Sequence, residues 1–254
     1  MKSEIQSDAK WLAPPENLPP LANRVHVWLV RLDNDRFCTA CGDSLLGADE
    51  KDRASRFKFQ RDRTRYIVSH AALRSILAAY LSVAAEELQF SLGTHGKPRL
   101  VSIQAKGIIQ FNLSHSNNLA LIVVAQAEIG VDVEWMKEDF PVMEVAQRFF
   151  TVKEIAALAA LPIRLQSEAF YKCWTSKEAF LKAKGTGLSG ELDEVEIVLT
   201  PENRVRIRGT VFNWSLYELN PSDGYAGALV VEGLGHEIKR YRWGGLTIDC
   251  PHQL

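Results

Sequence analysis

The chain has 254 residues, of which 46% are hydrophobic and 24% charged, and its formal net charge at pH 7 is −1. This composition is that of an ordinary folded protein, and the near-neutral balance excludes a chain-wide attraction to nucleic acid or membranes. The longest apolar run, residues 119–125, is far shorter than the ~20 residues that a membrane-spanning helix needs. We therefore expect neither nucleic acid nor a membrane as a partner.

The expected location is the cytoplasm. The first ten residues, MKSEIQSDAK, lack the apolar core of a signal peptide. Four unevenly spaced cysteines in a chain of this length do not make a disulfide framework.

The first half of the chain mixes strands with helices. Residues 1–22 are polar and rich in proline, which is typical of a loosely held arm. Alternating and helical apolar spacings then predict a strand, a long helix, two short strands around a glycine-containing turn, and two further strands, in residues 24–32, 63–81, 87–100, 108–125 and 128–136.

The second half repeats this mixture. A helix is predicted near residues 143–150, and Thr151 and Glu154 have the spacing of a capping box that opens another. A third helix should end near Gly185, and strands are predicted in residues 194–199, 204–209, 212–219 and 227–233. The pattern indicates an α+β (mixed α/β) fold with a boundary near residue 128.

The strand GVDVEW, residues 130–135, carries two carboxylates on one face. Because side chains alternate along a strand, Asp132 and Glu134 share a face, with Cα atoms about 6.6–7 Å apart. Two such carboxylates can close on a hard cation such as Mg²⁺, which prefers oxygen ligands. Taken alone, however, the motif is more typical of the solvated face of an antiparallel strand, where acidic residues are commonplace.

The segment FNLSH places Ser114 beside His115. Neighbouring residues on a regular strand point to opposite faces, so this pair cannot work as nucleophile and base. A hydroxyl and an imidazole at this place suit hydrogen bonding to a phosphate or ribose, although a structural role is also open.

Residues 51–65 hold seven basic and two acidic side chains. Such a segment could bind nucleic acid with help from Phe57 and Phe59. Its arginines could instead grip a phosphorylated small molecule, or it could form a solvated helix face.

The helical stretch YKCWTSKEAFLKAKGTG, residues 171–187, places Lys177 on its apolar face, flanked by Glu178 and Lys182. An exposed pair of Glu178 with Lys182 is one interpretation, but it leaves Lys177 unexplained. A cleft that holds a cation and a polyphosphate would use all three.

In chain order, the segments FKFQRDRTRYIVSHAALR, GKPRL, FNLSHS, IGVDVEW, RFFTVKE and WTSKEAFLKAKGTGLS resemble the Sfp-type 4′-phosphopantetheinyl transferase family. The match covers roughly residues 53–200. It implies two similar α/β subdomains with pseudo-twofold symmetry, residues 23–128 and 129–254, after the arm of residues 1–22. Coenzyme A would bind in the cleft between them, and the protein would be a monomer.

The resemblance also implies an activity. Such enzymes move the 4′-phosphopantetheine of coenzyme A to a serine of an acyl or peptidyl carrier protein and release adenosine 3′,5′-bisphosphate. The reaction would depend on Mg²⁺, with Mn²⁺ as another candidate. Asp132, Glu134 and Glu178 resemble the metal ligands, and Glu178 is also the expected base for the carrier serine.

The remaining site residues follow in the same way. Lys182 resembles the pyrophosphate lysine. The other positions that would contact coenzyme A are Arg53 and Arg65 at a phosphate, Lys97 and Pro98 at the adenine, Ser114 and His115 near the 3′-phosphate, and Lys177 as a further phosphate partner.

One position departs from the family pattern. Where the family often carries a further phosphate-binding lysine, this sequence has Glu50, with Lys51 beside it. Two other interpretations stay open: a regulator that binds coenzyme A or a nucleotide without transfer, and a nucleic-acid-binding module built on residues 51–65.

Overall fold

The structure is a computed structural model that describes residues 10–33, 39–93, 95–101, 109–186, 196–199, 205–208 and 213–245. The first half contains, in order, β1 (Arg24–Arg31), α1 (Thr39–Leu45), α2 (Ala48–Ser55), α3 (Gln60–Leu81), a 3₁₀ turn (Ala85–Glu87), β2 (Phe90–Leu92), β3 (Pro98–Leu100), β4 (Gln110–Ser116) and β5 (Leu119–Ala125). The second half contains β6 (Ile129–Trp135), α4 (Val142–Phe149), α5 (Val152–Ala159), α6 (Ile163–Lys184), β7 (Glu196–Leu199), β8 (Val205–Arg208), β9 (Trp214–Leu219), β10 (Tyr225–Glu232) and β11 (Glu237–Arg242).

The same order of elements occurs in both halves. β1, β5 and β4 pair side by side in an antiparallel arrangement, and so do β6, β10 and β9. Each set begins with a strand, continues through shorter helices to a 22-residue helix, α3 or α6, and returns through a small two-stranded sheet. This repetition confirms the predicted mixed α/β fold with two similar halves.

The two sheets lie face to face between the two long helices. Buried apolar side chains of β1 and β5 pack on those of β6 and β10, such as Val27 on one side and Val131 on the other. The opposite face of the first sheet packs on α3, and that of the second packs on α6. One set of alternate residues in β6 therefore faces the other sheet, and the next set faces α6.

The last strand returns to the first half, which the sequence did not predict. β11 pairs in parallel with β1, and Leu12 of the arm bridges to Tyr241. Leu21 is buried in the α3 core, so the end of the arm is not loosely held, because its apolar side chains pack there. Residues 1–9 and 246–254 lie outside the described residues, and the division into residues 23–128 and 129–254 stays a prediction.

Within the described residues, the other element predictions hold with two adjustments, and the ends of the strands predicted at residues 194–199, 204–209 and 212–219 lie outside the described residues. The strand predicted at residues 108–125 is a hairpin, because Asn117 has φ 48° and reverses the chain before Asn118. The long helix begins at residue 60 rather than 63. The capping box of Thr151 and Glu154 is present, and Gly185 ends α6 in the left-handed conformation, as predicted.

Polar side chains join β4 to β6 across the edges of the two sheets. Asn112 Oδ1 accepts a hydrogen bond from the Val131 amide at 3.0 Å, and the Ser116 hydroxyl accepts one from the Trp135 amide at 3.1 Å. Between them, Ser114 Oγ accepts from the Val133 amide at 3.3 Å. The three accepting side chains are two residues apart along β4, as are the three amides along β6. Their hydrogen bonds therefore take the place of the backbone-to-backbone bonds that would join the strands of a continuous sheet. We call this contact the β4–β6 seam.

Gly130 lets α6 approach β6 closely. A Cβ atom at this position would overlap the backbone carbonyl of Ala179 and the backbone amide of Ala183. These are backbone atoms of a helix, which cannot move aside as a flexible side chain can. The missing side chain therefore sets how near α6 lies to the carboxylates of β6.

We expect Gly130→Ala to lower the free energy of unfolding by about 3 kcal/mol or more, because α6 must move away from β6. Urea unfolding measures this change. Gly244→Ala is the matched control, since its added Cβ would meet no atom within 4 Å. Equal stability of the two variants would contradict the close approach.

Candidate active site

The centre of the site is a lysine–aspartate contact between α6 and β6. Lys182 Nζ lies 2.6 Å from Asp132 Oδ1 and 3.1 Å from Ser114 Oγ, and the Ser114 hydroxyl donates to the same Asp132 oxygen at 2.8 Å. Asp132 is buried, whereas the Lys182 side chain is about one third exposed. The β4–β6 seam and α6 thus converge on one carboxylate.

Glu134 lies two residues further on the same face of β6. Ser116 Oγ donates to Glu134 Oε2 at 2.7 Å. Desolvation by burial and the negative charge of Asp132 raise the pKa of Glu134, although the Ser116 hydrogen bond and Lys182 oppose this. The predicted sharing of a face is confirmed, and the interpretation as a solvated strand face is wrong for Asp132.

Glu178 brings a third carboxylate from α6. Burial and the negative charges of Asp132 and Glu134 together raise the pKa of Glu178 to about 7, against the opposing effect of Lys182. Two carboxyl groups with raised pKa values, Glu134 and Glu178, therefore lie near Asp132 and Lys182. This arrangement concentrates negative charge in a partly buried space.

The donor set fits a hard cation. Asp132 Oδ2 is buried and has no hydrogen-bond partner among the described residues. All the nearby charged acceptors are carboxylate oxygens, which Mg²⁺ and Mn²⁺ prefer. Within the part of the chain that the structure describes, no group of three or more His, Cys, Asp or Glu side chains stands close enough to hold a metal ion. In this arrangement the Lys182 ammonium donates a hydrogen bond to Asp132 Oδ1, the oxygen beside the unpartnered Oδ2.

Lys177 lies elsewhere, and its predicted contact with coenzyme A is wrong. Its Nζ lies 2.9 Å from Glu154 Oε1, and both side chains are 1% exposed. Glu154 also accepts hydrogen bonds from the backbone amides of Ile197 and Thr151, each at 2.7 Å. The charge on the apolar face of α6 is therefore half of a buried ion pair that joins α6 to α5 and β7.

The Lys97 side chain is likewise committed to protein groups. Its Nζ donates to Glu128 Oε2 at 2.9 Å and to the carbonyls of Ile129 and Ala183 at 3.0 Å each. We predicted that Lys97 contacts the adenine of coenzyme A. The structure contradicts this for its amine, because all three ammonium hydrogens already have acceptors within the protein. The exposed Pro98 beside it remains a predicted adenine contact.

Ser114 and His115 point to opposite sides, as the strand argument predicted. Ser114 is buried, and its hydroxyl is occupied by Asp132, Lys182 and the Val133 amide. We therefore correct its predicted role from phosphate contact to support of Asp132 and Lys182. His115 is exposed on the α3 side of β4.

Cationic side chains gather around His115. Desolvation lowers the pKa of its imidazole, and the charges of His70, Lys182, Arg53 and Arg65 lower it further. Arg53 and Arg65 were predicted from the sequence, but His70 was missed. No local spacing signalled it, because its partner Glu50 lies on another helix. By contrast, Arg56 and Arg61 of the basic segment form exposed ion pairs with neighbouring aspartates.

The chain matches two family models. The model described as 4′-phosphopantetheinyl transferase, N-terminal, matches residues 34–127. The model described as the 4′-phosphopantetheinyl transferase superfamily matches residues 128–230.

Curated relatives point to the same class. The 4′-phosphopantetheinyl transferase HetI of a Nostoc species is 38% identical over 92% of this chain and 98% of its own length. The 4′-phosphopantetheinyl transferase Sfp of Bacillus subtilis is 29% identical over 69% of this chain and 74% of its own. The human L-aminoadipate-semialdehyde dehydrogenase-phosphopantetheinyl transferase is 30% identical over 61% and 53%. The chain therefore belongs to the 4′-phosphopantetheinyl transferase superfamily, which confirms the resemblance in its sequence.

We expect Lys177→Ala to lower the free energy of unfolding by about 3–5 kcal/mol, because it leaves Glu154 buried without its counter-charge. Lys153→Ala is the control, since Lys153 is 73% exposed in its pair with Glu196 and should contribute at most ~1 kcal/mol. Chemical denaturation measures both. An unchanged stability of Lys177→Ala would contradict the assigned ion pair.

A second prediction concerns the dependence of stability on pH. Glu178 has its pKa raised from 4.5 to about 7, so between these values the folded protein holds a proton that the unfolded chain has released. Stability is therefore lost as pH rises through this window. With a chelator present, Glu178→Gln should be more stable than the unsubstituted protein at pH 8, by about 1–2 kcal/mol, and the gain should disappear below pH 5.

Glu168→Gln, a glutamate that is 44% exposed on the same helix, is the control for this measurement. It should change stability little at either pH. A Glu178→Gln variant that is less stable than the parent at pH 8 would show that the carboxylate is not repelled.

Proposed function

We propose that this chain transfers the 4′-phosphopantetheine moiety of coenzyme A to a serine of an acyl or peptidyl carrier protein and releases adenosine 3′,5′-bisphosphate. The carrying observation is the placement of Asp132, Glu134, Glu178 and Lys182 around one point beside the seam between the two halves. In this reaction the serine Oγ bonds to the pantetheine-side phosphorus, the bond to the bridging oxygen breaks, and the bisphosphate leaves with its electron pair.

The carboxylates would hold a divalent cation. Asp132, Glu134 and Glu178 offer oxygen ligands, and the unpartnered Asp132 Oδ2 supports this assignment. The cation would supply stabilisation of the negative charge that develops on the leaving pyrophosphate oxygen. Mg²⁺ is the proposed ion, with Mn²⁺ as the other candidate.

Lys182 and Glu178 have distinct roles in this proposal. The Lys182 ammonium, which is partly exposed beside Asp132, would turn to a pyrophosphate oxygen and neutralise its charge. Glu178 would accept the proton of the carrier serine. A carboxyl group whose pKa is raised to about 7 is well matched to a general base that works near neutral pH.

The cationic side chains on the α3 side would hold the nucleotide end of coenzyme A. Arg65 Nη2 donates to Asn117 Oδ1 at 3.0 Å and also to Asn118 Oδ1, which fixes the guanidinium near His115. Guanidinium groups match phosphate oxygens in geometry and charge. We assign Arg65, Arg53 and His115 to phosphate binding and the exposed Pro98 to the adenine.

Partners and location belong to the same proposal. Within the described residues, none of the helices combines the length and apolar character required to cross a bilayer. We propose a monomer that acts in the cytoplasm on coenzyme A and a carrier protein, with neither nucleic acid nor membrane as a partner.

The experiment is intact mass spectrometry of an apo acyl carrier protein and an apo peptidyl carrier protein after incubation with this chain, coenzyme A and Mg²⁺. We expect a gain of one phosphopantetheine that disappears with a chelator or with a Ser→Ala carrier. Glu178→Gln should lower the turnover number about 100-fold or more with little change in the KM for coenzyme A, whereas Glu168→Gln should behave as the parent.

Two results would contradict the proposal. If coenzyme A binds but neither carrier gains mass, the chain is a coenzyme A-binding protein without transfer. If Glu178→Gln keeps full turnover, the assignment of Glu178 as the base is wrong.

A further inference from the structure

Glu50 of α2, which stands where the family often has a phosphate-binding lysine, forms a buried network with α3. The residue is 7% exposed. Its Oε2 accepts hydrogen bonds from Arg74 Nε at 2.6 Å and from the Gly47 amide at 2.8 Å, and its Oε1 lies 2.9 Å from His70 Nδ1. Glu50 therefore points away from solvent and toward these cations.

The network determines which ring nitrogen of His70 donates a hydrogen bond to Glu50. Burial alone would raise the pKa of Glu50, but hydrogen bonds from His70 and Gly47 and the charge of Arg74 outweigh it and lower the pKa. An ionised carboxylate only accepts hydrogen bonds, so Nδ1 of His70 carries the hydrogen and donates it.

The ring of His70 is held in place by an aromatic neighbour. It stacks on the Tyr66 ring with centroids 4.0 Å apart, and the Arg53 guanidinium lies 5.7 Å from the centre of the same ring. Among the charged neighbours of His115, His70 has the largest effect on the pKa of that imidazole. The His70 side chain is 20% exposed. With Nδ1 committed to Glu50, Nε2 is the atom available to a ligand.

The basic side chains near His70 and His115 form a group that favours the binding of an anion. His70, Arg53, Arg65 and His115 come from α2, α3 and β4. Among the described residues, the acidic side chain that contacts this set, other than Glu50, is Asp62 at 3.6 Å from Arg65 Nη1. Positive side chains that lie close together raise one another's energy, and a phosphate dianion relieves that repulsion. Lys182 and the carboxylates lie on the α6 side, where the proposed function places the pyrophosphate. Coenzyme A carries one other phosphate, the 3′-phosphate, which would therefore bind on the α3 side.

We propose that His70 binds the 3′-phosphate of coenzyme A through Nε2, and that Glu50 is the residue that positions its ring. His70, held by the residue that stands where the family often has a lysine, would thus supply a positive group for the phosphate. A phosphate oxygen at Nε2 requires a hydrogen on that nitrogen, so the bound ring is an imidazolium. This inference rests on the proposed function for the identity of the ligand.

The test compares coenzyme A with 3′-dephospho-coenzyme A by isothermal titration calorimetry, with no carrier protein present. We expect His70→Ala to weaken the binding of coenzyme A about ten-fold or more and that of the dephospho form little, because only the former loses a charge-assisted hydrogen bond. His70→Gln, which keeps a donor without a charge, should show an intermediate loss.

Lys58→Ala is the matched control. It removes an exposed cation of the same segment, whose Nζ lies 5.6 Å from the Phe59 ring, and should affect both ligands equally and weakly. Equal weakening of both ligands by His70→Ala, or no weakening of either, would overturn the inference.

Glu50→Gln tests the positioning role. It keeps an acceptor for His70 but removes the charge, and it should reduce the preference for coenzyme A over the dephospho form, which a purely structural role would not change selectively. If neither carrier gains mass with the unsubstituted protein, yet His70→Ala abolishes a measured preference for the 3′-phosphate, the proposed function fails and this inference stands.

Discussion

The β4–β6 seam is the contact on which the rest of the site depends. Asn112, Ser114 and Ser116 accept hydrogen bonds from backbone amides of β6, so a four-stranded sheet and a three-stranded sheet meet through side chains rather than through a continuous ladder. The same serine hydroxyls donate to Asp132 and Glu134. A single set of short polar side chains therefore joins the halves and orients the carboxylates. Since the Ser114 hydroxyl both accepts and donates, its loss would remove the partner of the buried Val133 amide and one of the two donors to the buried Asp132 carboxylate.

The seam also separates two kinds of charge. On the α6 side it supports carboxylates and one lysine, and on the α3 side the opposite face of β4 carries His115 toward His70, Arg53 and Arg65. Coenzyme A has a reactive pyrophosphate at one place and a 3′-phosphate at another, which matches this division. The absent Cβ of Gly130 brings α6 close enough for Glu178 and Lys182 to reach β6. In the proposed function, binding and chemistry would use the two sides of the seam and the helices that cover them.

Local sequence signals predicted much of this, and partners distant in the chain account for what they missed. The capping box at Thr151, the end of α6 at Gly185 and the shared face of Asp132 and Glu134 follow from spacings of a few residues. The parallel pairing of β11 with β1 joins positions more than 200 residues apart, as between Arg24 and Glu237, and no local pattern specifies it. Lys177 shows the same limit, because spacing revealed a charge on an apolar face without revealing Glu154 as its partner. His70 was missed because its role depends on Glu50, twenty residues earlier.

The central claim is that three carboxylates gathered at the seam form one divalent-cation site that works with bound coenzyme A. The most direct measurement is the binding of Mn²⁺, followed by electron paramagnetic resonance, to the protein saturated with coenzyme A. The account predicts one ion per chain, lost in Asp132→Asn and retained in Glu168→Gln. Undiminished Mn²⁺ binding by Asp132→Asn, or no binding by the unsubstituted protein with coenzyme A present, would contradict it.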